Sequence, residues 1–259
     1  MSEELVHLEV SGGVATVTLD SPANRNALSR ALVAGLEDSL ASAIADDRAR
    51  LIVLTGAGPV FCSGADLKEG RAVSEPGRAG GPGGLVGILK QIWDSPKPVV
   101  ARVNGPTRAG GIGLVAACDI AVSVDTATFA FSEVRIGLIP AIISVVILPK
   151  MGISKCMEFF LTGDMFTAAE AAQYGLLNAA VPPESLEDAV GRYTASILKG
   201  SPAALRGCKR LVREVPGMNM DAAFEQTAAW SAEYFTSEEA REGMLAFAQK
   251  RPPRWAEAP

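Results

Sequence analysis

Hydrophobic and polar positions alternate in the first part of the chain in the way that β-strands require. Residues 5–10 and 14–19 alternate on either side of Gly12 and Gly13, which predicts a β-hairpin. Residues 29–45 then carry apolar side chains on one helical face, which predicts an amphipathic helix. Residues 51–55 are mostly apolar and are followed by a glycine, as a buried strand often is. The chain therefore begins as a strand, strand, helix unit.

Comparable units follow downstream. Further strands are predicted over residues 99–103, 120–124 and 128–131, and a short buried helix over residues 110–117, where small and apolar residues are continuous. Each unit would contain roughly 40 to 50 residues, but no period is clear enough to indicate a solenoid. We therefore predict one spiral-like α/β core that extends over residues 1–194.

The last part of the chain is helical in character. Capping-box sequences begin at Thr167 and Ser185, and Pro202 suits the first turn of a helix. Residues 195–259 are predicted to form a helical C-terminal region. Within the core, residues 70–87 contain seven glycines and two prolines, which predicts a mobile loop.

Composition narrows the function classes. Of the 259 residues, 48% are hydrophobic and 20% are charged, so the chain can bury a large core. The net charge of -5 disfavours nucleic acid as the main partner, and no apolar run is long enough for a membrane span. The four cysteines lack CxxC spacing and the first residues lack a signal-peptide pattern, so we expect a protein of the reducing cytoplasm.

The single histidine, His7, disfavours two further classes. A Ser-His-Asp hydrolase would need His7 as its base, although this residue lies in a terminal hairpin. A zinc site would have similarly few ligand candidates. We therefore expect neither a histidine-dependent hydrolase nor a metal site.

Two glycine-containing turns indicate a site that binds an oxyanion through backbone N–H groups. Residues 61–68 (FCSGADLK) and 109–114 (AGGIGL) place small side chains where backbone N–H groups can approach a ligand. An oxyanion formed from a thioester needs two such donors from separate loops, and one donor contributes roughly 2.7–4 kcal/mol to the transition state. We expect the two turns to bind one oxyanion and Glu133 to transfer the proton.

A dinucleotide-binding turn is the alternative for the second of these segments. Residues 111–116 (GIGLVA) fit GxGxxA, and Glu133 follows about 20 residues later. In a Rossmann turn, however, the first glycine directly follows its strand, whereas residues 104–109 intervene here. A nicotinamide cofactor is therefore disfavoured, and Gly110 is expected to present its N–H at a helix N-terminus.

Four segments in order carry a resemblance to a known family. FCSGADLKE, the run from ARVNG to AGGIGLVAACDIA, FSEVRIGLIP and EGMLAFAQKR resemble the enoyl-CoA hydratase/isomerase (crotonase) family, and they span nearly the whole chain. The resemblance implies an α/β crotonase-like spiral of β-β-α units with a C-terminal helical region, assembled as a homotrimer or homohexamer. It also implies acyl-CoA thioesters as substrates, with CoA as part of the substrate and no separate cofactor.

The resemblance also implies roles for individual residues. The oxyanion donors would be the N–H groups of Ala65 and Gly110, and Glu133 would be the catalytic carboxylate. The CoA moiety would bind along a set of residues from three segments, namely Arg25, Ser63, Ala65, Asp66, Leu67, Lys68, Gly110, Phe247 and Lys250. Of these, Arg25 would lie near the phosphates, and Phe247 and Lys250 would cover the adenine end.

One departure from the family pattern leaves the reaction open. Hydratases of the family commonly use two glutamates, at positions that match Gly113 and Glu133, and only the second is present. One carboxylate can still activate water and return a proton, particularly when burial raises its pKa. We therefore predict an enoyl-CoA hydratase, a hydro-lyase, with two alternatives: a 3-enoyl to 2-enoyl-CoA isomerase, and an acyl-CoA-binding protein without catalysis.

A second departure concerns the acyl pocket. Residues 141–146 (AIISVV) replace a segment that is usually glycine-rich, so bulky side chains should reshape the pocket. Together with GLGL-type and LIPA-type segments, this resembles the methylglutaconyl-CoA hydratase-like branch. We expect a preference for branched or carboxylated acyl groups, with Arg135 or Arg108 as the partner of a carboxylate.

Overall fold

The computed structural model describes residues 4–69 and 84–256. The loop predicted over residues 70–87 therefore lies mostly outside the described residues, and its last residues belong to a helix. The strands are β1 (Val6–Ser11), β2 (Val14–Leu19), β3 (Leu51–Gly56), β4 (Val99–Val103), β5 (Thr107–Arg108), β6 (Ile120–Val124), β7 (Thr128–Ala130), β8 (Met165–Thr167) and β9 (Ala179–Val181). The helices are α1 (Arg30–Ala45), α2 (Leu85–Asp94), α3 (Gly110–Ala117), α4 (Ala141–Thr162), α5 (Ala168–Gln173), α6 (Leu186–Leu198), α7 (Pro202–Glu214), α8 (Met220–Thr236) and α9 (Glu238–Gln249).

The strands form two sheets. The larger one has the order β1-β2-β3-β4-β6-β9, in which only the β1–β2 hairpin is antiparallel. The smaller sheet has the order β5-β7-β8, with β5 and β7 parallel. The chain thus passes from one sheet to the other as it winds, which confirms the predicted α/β spiral of strand, strand, helix units.

The core lies between the larger sheet and the helices that cover it. All six residues of β3 are buried, because helices cover a parallel sheet on its faces. The buried face of α1 is formed by Leu32, Leu36, Leu40 and Ala43, as the apolar spacing predicted. The side chain of Ser29 starts this helix by accepting a hydrogen bond from the N–H of Leu32. Burial of each such leucine is worth about 1.5–3 kcal/mol.

Two helices were missed by the sequence prediction, and one predicted cap is wrong. No helix was predicted at α2, within and after the glycine-rich segment, or at α4, which bends at Gly152, where φ is +73°. The capping box at Thr167 is present, whereas the Ser185 side chain caps nothing. Ser185 ends a 3₁₀ turn and has near-helical dihedral angles, so its oxygen cannot reach back as an extended N-cap residue does.

The C-terminal helices are attached to the larger sheet at the amino-terminal ends of its parallel strands. Asp119, just before β6, accepts hydrogen bonds of 2.7 Å from Lys209 and from Arg213 of α7. Arg50, just before β3, donates to the carbonyl oxygens of Gly200 and Trp255. The predicted boundary at residue 195 falls inside α6, which packs against β3, β4 and β6 of the larger sheet.

No helix within residues 4–69 and 84–256 has the length and apolar character that a membrane span requires. Within the same ranges, no three His, Cys, Asp or Glu side chains are grouped so that they could hold a metal ion.

Candidate active site

Three short parallel segments lie side by side, and their carboxyl ends lie at the same edge of the fold. Cys62 pairs with Thr107 in a parallel bridge, and Thr107 pairs with Phe129 in the parallel β5–β7 ladder. The carboxyl ends of parallel segments lie at one edge, so the residues that follow these three segments lie close to one another. This shared edge is the first condition for a site assembled from separate loops.

The three predicted catalytic residues follow that register. Ala65 and Gly110 are each three residues beyond the paired positions Cys62 and Thr107, and Glu133 is four residues beyond Phe129. The two turns also touch, because a Cβ on Gly64 would lie 3.0 Å from the Cβ of Ala109. Ala65 and Gly110 therefore directly follow two residues that are in contact.

The N–H of Ala65 is available to a ligand. Leu28 forms a parallel bridge with Ala65, in which its N–H donates to the Gly64 carbonyl at 2.8 Å and its carbonyl accepts from the Asp66 N–H at 3.4 Å. In such a bridge the N–H of the middle residue points away from the partner segment. Within the described residues this N–H donates to no acceptor, and Ala65 is exposed. An incoming oxygen can therefore accept its hydrogen bond.

The N–H of Gly110 is the first of helix α3, where the helix dipole adds about half a positive charge. The preceding residue, Ala109, has φ 47° and ψ -119°, which turns the chain sharply into the helix and costs of order 1–3 kcal/mol for a residue with a side chain. A Cβ on Gly110 would lie 2.9 Å from Cδ1 of Leu28, so glycine fits best here. In the described part of the chain the Gly110 N–H also has no acceptor.

The carboxylate of Glu133 is half-buried and incompletely hydrogen-bonded. It lies in a 3₁₀ turn, Ser132–Ile136, and its Oε2 atom is buried without a partner among the described residues. Burial raises the pKa of Glu133 above its ordinary value, because the charged form loses hydration. A carboxylate with a raised pKa in a cleft is suited to proton transfer at neutral pH.

The two departures from the family pattern are in direct contact. A Cβ on Gly113 would lie 2.4 Å from Cγ2 and 3.0 Å from Cβ of Ile143, in the first turn of α4. Ile143 is buried, with 2% of its surface exposed. No larger side chain fits at residue 113 unless Ile143 moves, so the position that would carry a second glutamate has no room for one.

Arg25 and Ser63 lie together beside Ala65, as the predicted CoA-binding set requires. The Ser63 N–H donates to the Arg25 carbonyl at 3.1 Å. Arg25 adopts a left-handed conformation with φ 54° at the end of a 3₁₀ turn, and its side chain is exposed. The neighbouring Asn26, which the sequence analysis missed, is fully buried and donates to the carbonyls of Ala57 and Val60. Asn26 therefore fixes the turn that carries Arg25.

The residues after Ala65 form the rest of this rim. The carboxylate of Asp66 accepts from the Lys68 N–H at 2.9 Å and from the Asn24 side chain at 3.0 Å, and these bonds lower the pKa of Asp66. Leu67 and Lys68 are exposed beside it. A bound ligand could reach both side chains.

Phe247 and Lys250 do not join this site within one chain. Both lie at the end of α9 and are exposed, Phe247 to 87%. Trp255, which packs on Gly243 of α9, accepts a hydrogen bond from Arg50 at the start of β3. The tail is thus held at the edge of the sheet opposite to the turns.

The two arginines predicted to bind an acyl carboxylate already have partners. The Arg108 guanidinium donates to the Thr128 side chain at 2.8 Å and to main-chain carbonyls, and Arg135 forms an ion pair with Asp164 at 2.5 Å. Both guanidinium groups thus have partners among the described residues, and their contact with an acyl carboxylate stays a prediction.

Comparisons with known proteins agree with these observations. A family model described as "Enoyl-CoA hydratase/isomerase" matches residues 9–258. A Thermus thermophilus protein with the provisional name enoyl-CoA hydratase is 36% identical over 94% of this chain and 98% of its own length. A carnitinyl-CoA dehydratase of Escherichia coli K12 is 33% identical over 98% and 99%.

Solved structures give the same result. An enoyl-CoA hydratase from Mycobacterium smegmatis has a TM-score of 0.89 and 32% identity, over 98% of this chain and 99% of that one. Sequence and structure therefore agree along almost the entire length, and the chain belongs to the enoyl-CoA hydratase/isomerase (crotonase) family.

Proposed function

We propose that the protein is an enoyl-CoA hydratase, which adds water across the 2,3 double bond of a 2-enoyl-CoA thioester. The observation that carries this proposal is a set of three polar groups at one edge of the fold, each with hydrogen-bonding capacity that no other described residue uses. Two are the N–H groups of Ala65 and Gly110, and the third is the carboxylate of Glu133. Membership of the family supports an acyl-CoA thioester as the ligand.

In the proposed mechanism, the two N–H groups bind the thioester oxygen. Electron density moves onto this oxygen when a nucleophile attacks C3, so the donors bind the enolate more strongly than the substrate. Each donor is worth roughly 2.7–4 kcal/mol at that stage. The dipole of α3 adds to the donor at Gly110, because it points its positive end at the same oxygen.

Glu133 performs both proton transfers. Its carboxylate removes a proton from water as the water oxygen bonds to C3 and the double-bond electrons move to the thioester oxygen. The protonated Glu133 then gives that proton to C2 as the enolate collapses. Since Gly113 leaves no room for a second carboxylate, one group serves both steps, on one face of the substrate.

The CoA moiety would lie along the rim that carries Arg25, Ser63, Asp66, Leu67 and Lys68, where two exposed cations suit its phosphates. Phe247 and Lys250 would reach an adenine only from a second copy of the chain, as in the homotrimer or homohexamer that we predicted. Their role and the absence of a separate cofactor remain predictions.

A second candidate function is double-bond isomerisation, from a 3-enoyl to a 2-enoyl-CoA. The observation that favours it is the lone carboxylate, because isomerisation needs one group that removes a proton from C2 and returns it to C4. The same two N–H groups would stabilise the dienolate.

Product analysis distinguishes the candidates. The full-length protein is incubated separately with a 2-enoyl-CoA and a 3-enoyl-CoA, and the products are identified by mass. Hydration adds the mass of one water, whereas isomerisation changes only the chromatographic position. A carnitinyl-CoA sample tests the activity that the name of the E. coli relative describes. Binding of all thioesters without turnover would favour the non-catalytic alternative.

A further inference from the structure

The side chain of Ile143 is close to the proposed site but has no part in the proposed mechanism. It comes from the first turn of α4 and lies over Gly113, with a Cγ2 atom only 2.4 Å from the place of a Cβ there. Gly113 is one helical turn beyond Gly110, about 4.5 Å along the axis of α3. The first acyl carbons of a thioester held at the Gly110 N–H would lie within reach of this region.

We propose that Ile143 is a specificity-determining residue, which closes the site over Gly113 and limits the width of the acyl group at its first carbons, C2 and C3. This inference rests on the proposed binding of an acyl-CoA at Gly110. It adds to that function a named residue that selects among acyl groups.

Ile143 cannot easily move aside. A β-branched side chain in a helix has one strongly preferred rotamer, and this one is buried between α3 and the rest of α4. Leu89 of α2 closes the other side, because its Cδ2 atom lies 3.6 Å from the Cβ position of Gly113. The limit on acyl width is therefore fixed by packing and not by a flexible loop.

An apolar groove lies next to Ile143, between α2 and α4. This groove of about 310 Å³ is open to solvent and mostly apolar, and its lining includes Leu89, Ile142 and Val146. Leu89 borders both Gly113 and the groove, and Ile142 and Val146 are neighbours of Ile143 on α4. Removal of the Ile143 side chain should thus connect the site to unused apolar volume.

Saturated acyl-CoAs test the proposal without any reaction. The dissociation constants of butyryl-CoA and isovaleryl-CoA are measured by calorimetry for the wild type, Ile143→Ala and the matched control Ile147→Ala, which truncates a buried isoleucine of the same helix that does not line the apolar groove. Ile143→Ala should shift the preference toward isovaleryl-CoA by about tenfold or more, since a methyl-sized difference in an apolar pocket is worth 10- to 200-fold. Ile147→Ala should change the ratio by less than about threefold.

The outcomes separate the two proposals. An unchanged ratio in Ile143→Ala would overturn the role of Ile143 and leave the proposed function intact. Absence of binding by the wild type to either acyl-CoA would overturn the proposed function and this inference with it.

A thermal double-mutant cycle checks the contact itself. Gly113→Ala should lower Tm by about 2–8 °C in the wild type, because the added methyl group overlaps Ile143. In the Ile143→Ala background the same change should be close to neutral. Additive effects would show that Ile143 does not fill this space, which would contradict the proposal.

Discussion

Two edges of the molecule carry polar groups in opposite states of pairing: the amino-terminal edge of the larger sheet, and the edge where the three short parallel segments at Cys62, Thr107 and Phe129 end. At the amino-terminal ends of β4 and β6, Asp119 accepts hydrogen bonds from Lys209, Arg213 and the N–H of Val99, all at 2.7 Å. At the other edge, Glu133 and the two turns present groups that have no partner in the described residues. A buried charge that is fully paired holds elements together, whereas an unpaired one keeps its hydrogen-bonding capacity for a ligand.

The largest effect is expected at the unpaired edge. Glu133→Gln keeps the size of the side chain and removes its basicity, so kcat should fall by about 10² to 10⁴ while the affinity for acyl-CoA stays within about threefold. Steady-state kinetics and calorimetry measure the two quantities, and Glu184→Gln at an exposed turn is the control. Full turnover in Glu133→Gln would remove Glu133 from the mechanism.

A large loss of stability is expected at the paired edge. Asp119→Ala leaves the partly buried Lys209 and Arg213, with 10% and 16% of their side-chain surface exposed, without their counter-charge, which should cost about 3–5 kcal/mol of unfolding free energy and lower Tm by about 6 °C or more. The matched control is Asp164→Ala, which breaks the exposed pair with Arg135 and should cost about 1 kcal/mol or less. Equal shifts in calorimetric scans would mean that burial does not distinguish the two pairs.

The pH profile reports on the same unpaired carboxylate. Hydration requires the ionised form, so kcat/KM should fall as pH decreases through the raised pKa of Glu133. The acidic limb should therefore lie above the ordinary glutamate value of 4.5. The residual activity of Glu133→Gln should lack this limb, and a limb at the same pH in that variant would assign it to another group.

The smallest effect concerns stability at neutral pH. Because the folded-state pKa of Glu133 is raised above its unfolded value, its stabilising contribution is complete below the unfolded pKa and is lost as pH rises through the folded pKa. Glu133→Gln should thus raise Tm at pH 7 by no more than about 4 °C, with less gain near pH 4. A Tm difference that does not change with pH would argue against an unfavourable ionised carboxylate.

Local patterns predicted much of the fold. The bounds of α3 and β6 follow from short runs of small and apolar residues, and the β1–β2 hairpin follows from apolar alternation on either side of two glycines. Helix α4 was missed because its own residues are apolar on most of its faces and because it contains Pro149 and Gly152. Those features hide the helical period that a sequence pattern needs.

The candidate site was predictable in its parts and not in its assembly. Ala65, Gly110 and Glu133 were named from motifs, but their common edge depends on the pairing of Cys62 with Thr107 and of Thr107 with Phe129. Strand β5 has two residues, too few for any pattern to show it. The overlap at Gly113 likewise needs three-dimensional proximity, although the sequence analysis had singled out both Gly113 and residues 141–146.

The contact between Gly113 and Ile143 also restricts how this sequence can diverge. A larger residue at position 113 is tolerated once position 143 has become smaller, whereas the reverse order passes through an overpacked intermediate. The two positions are therefore epistatic, and mutational scanning of single positions would underestimate the diversity that the pair permits.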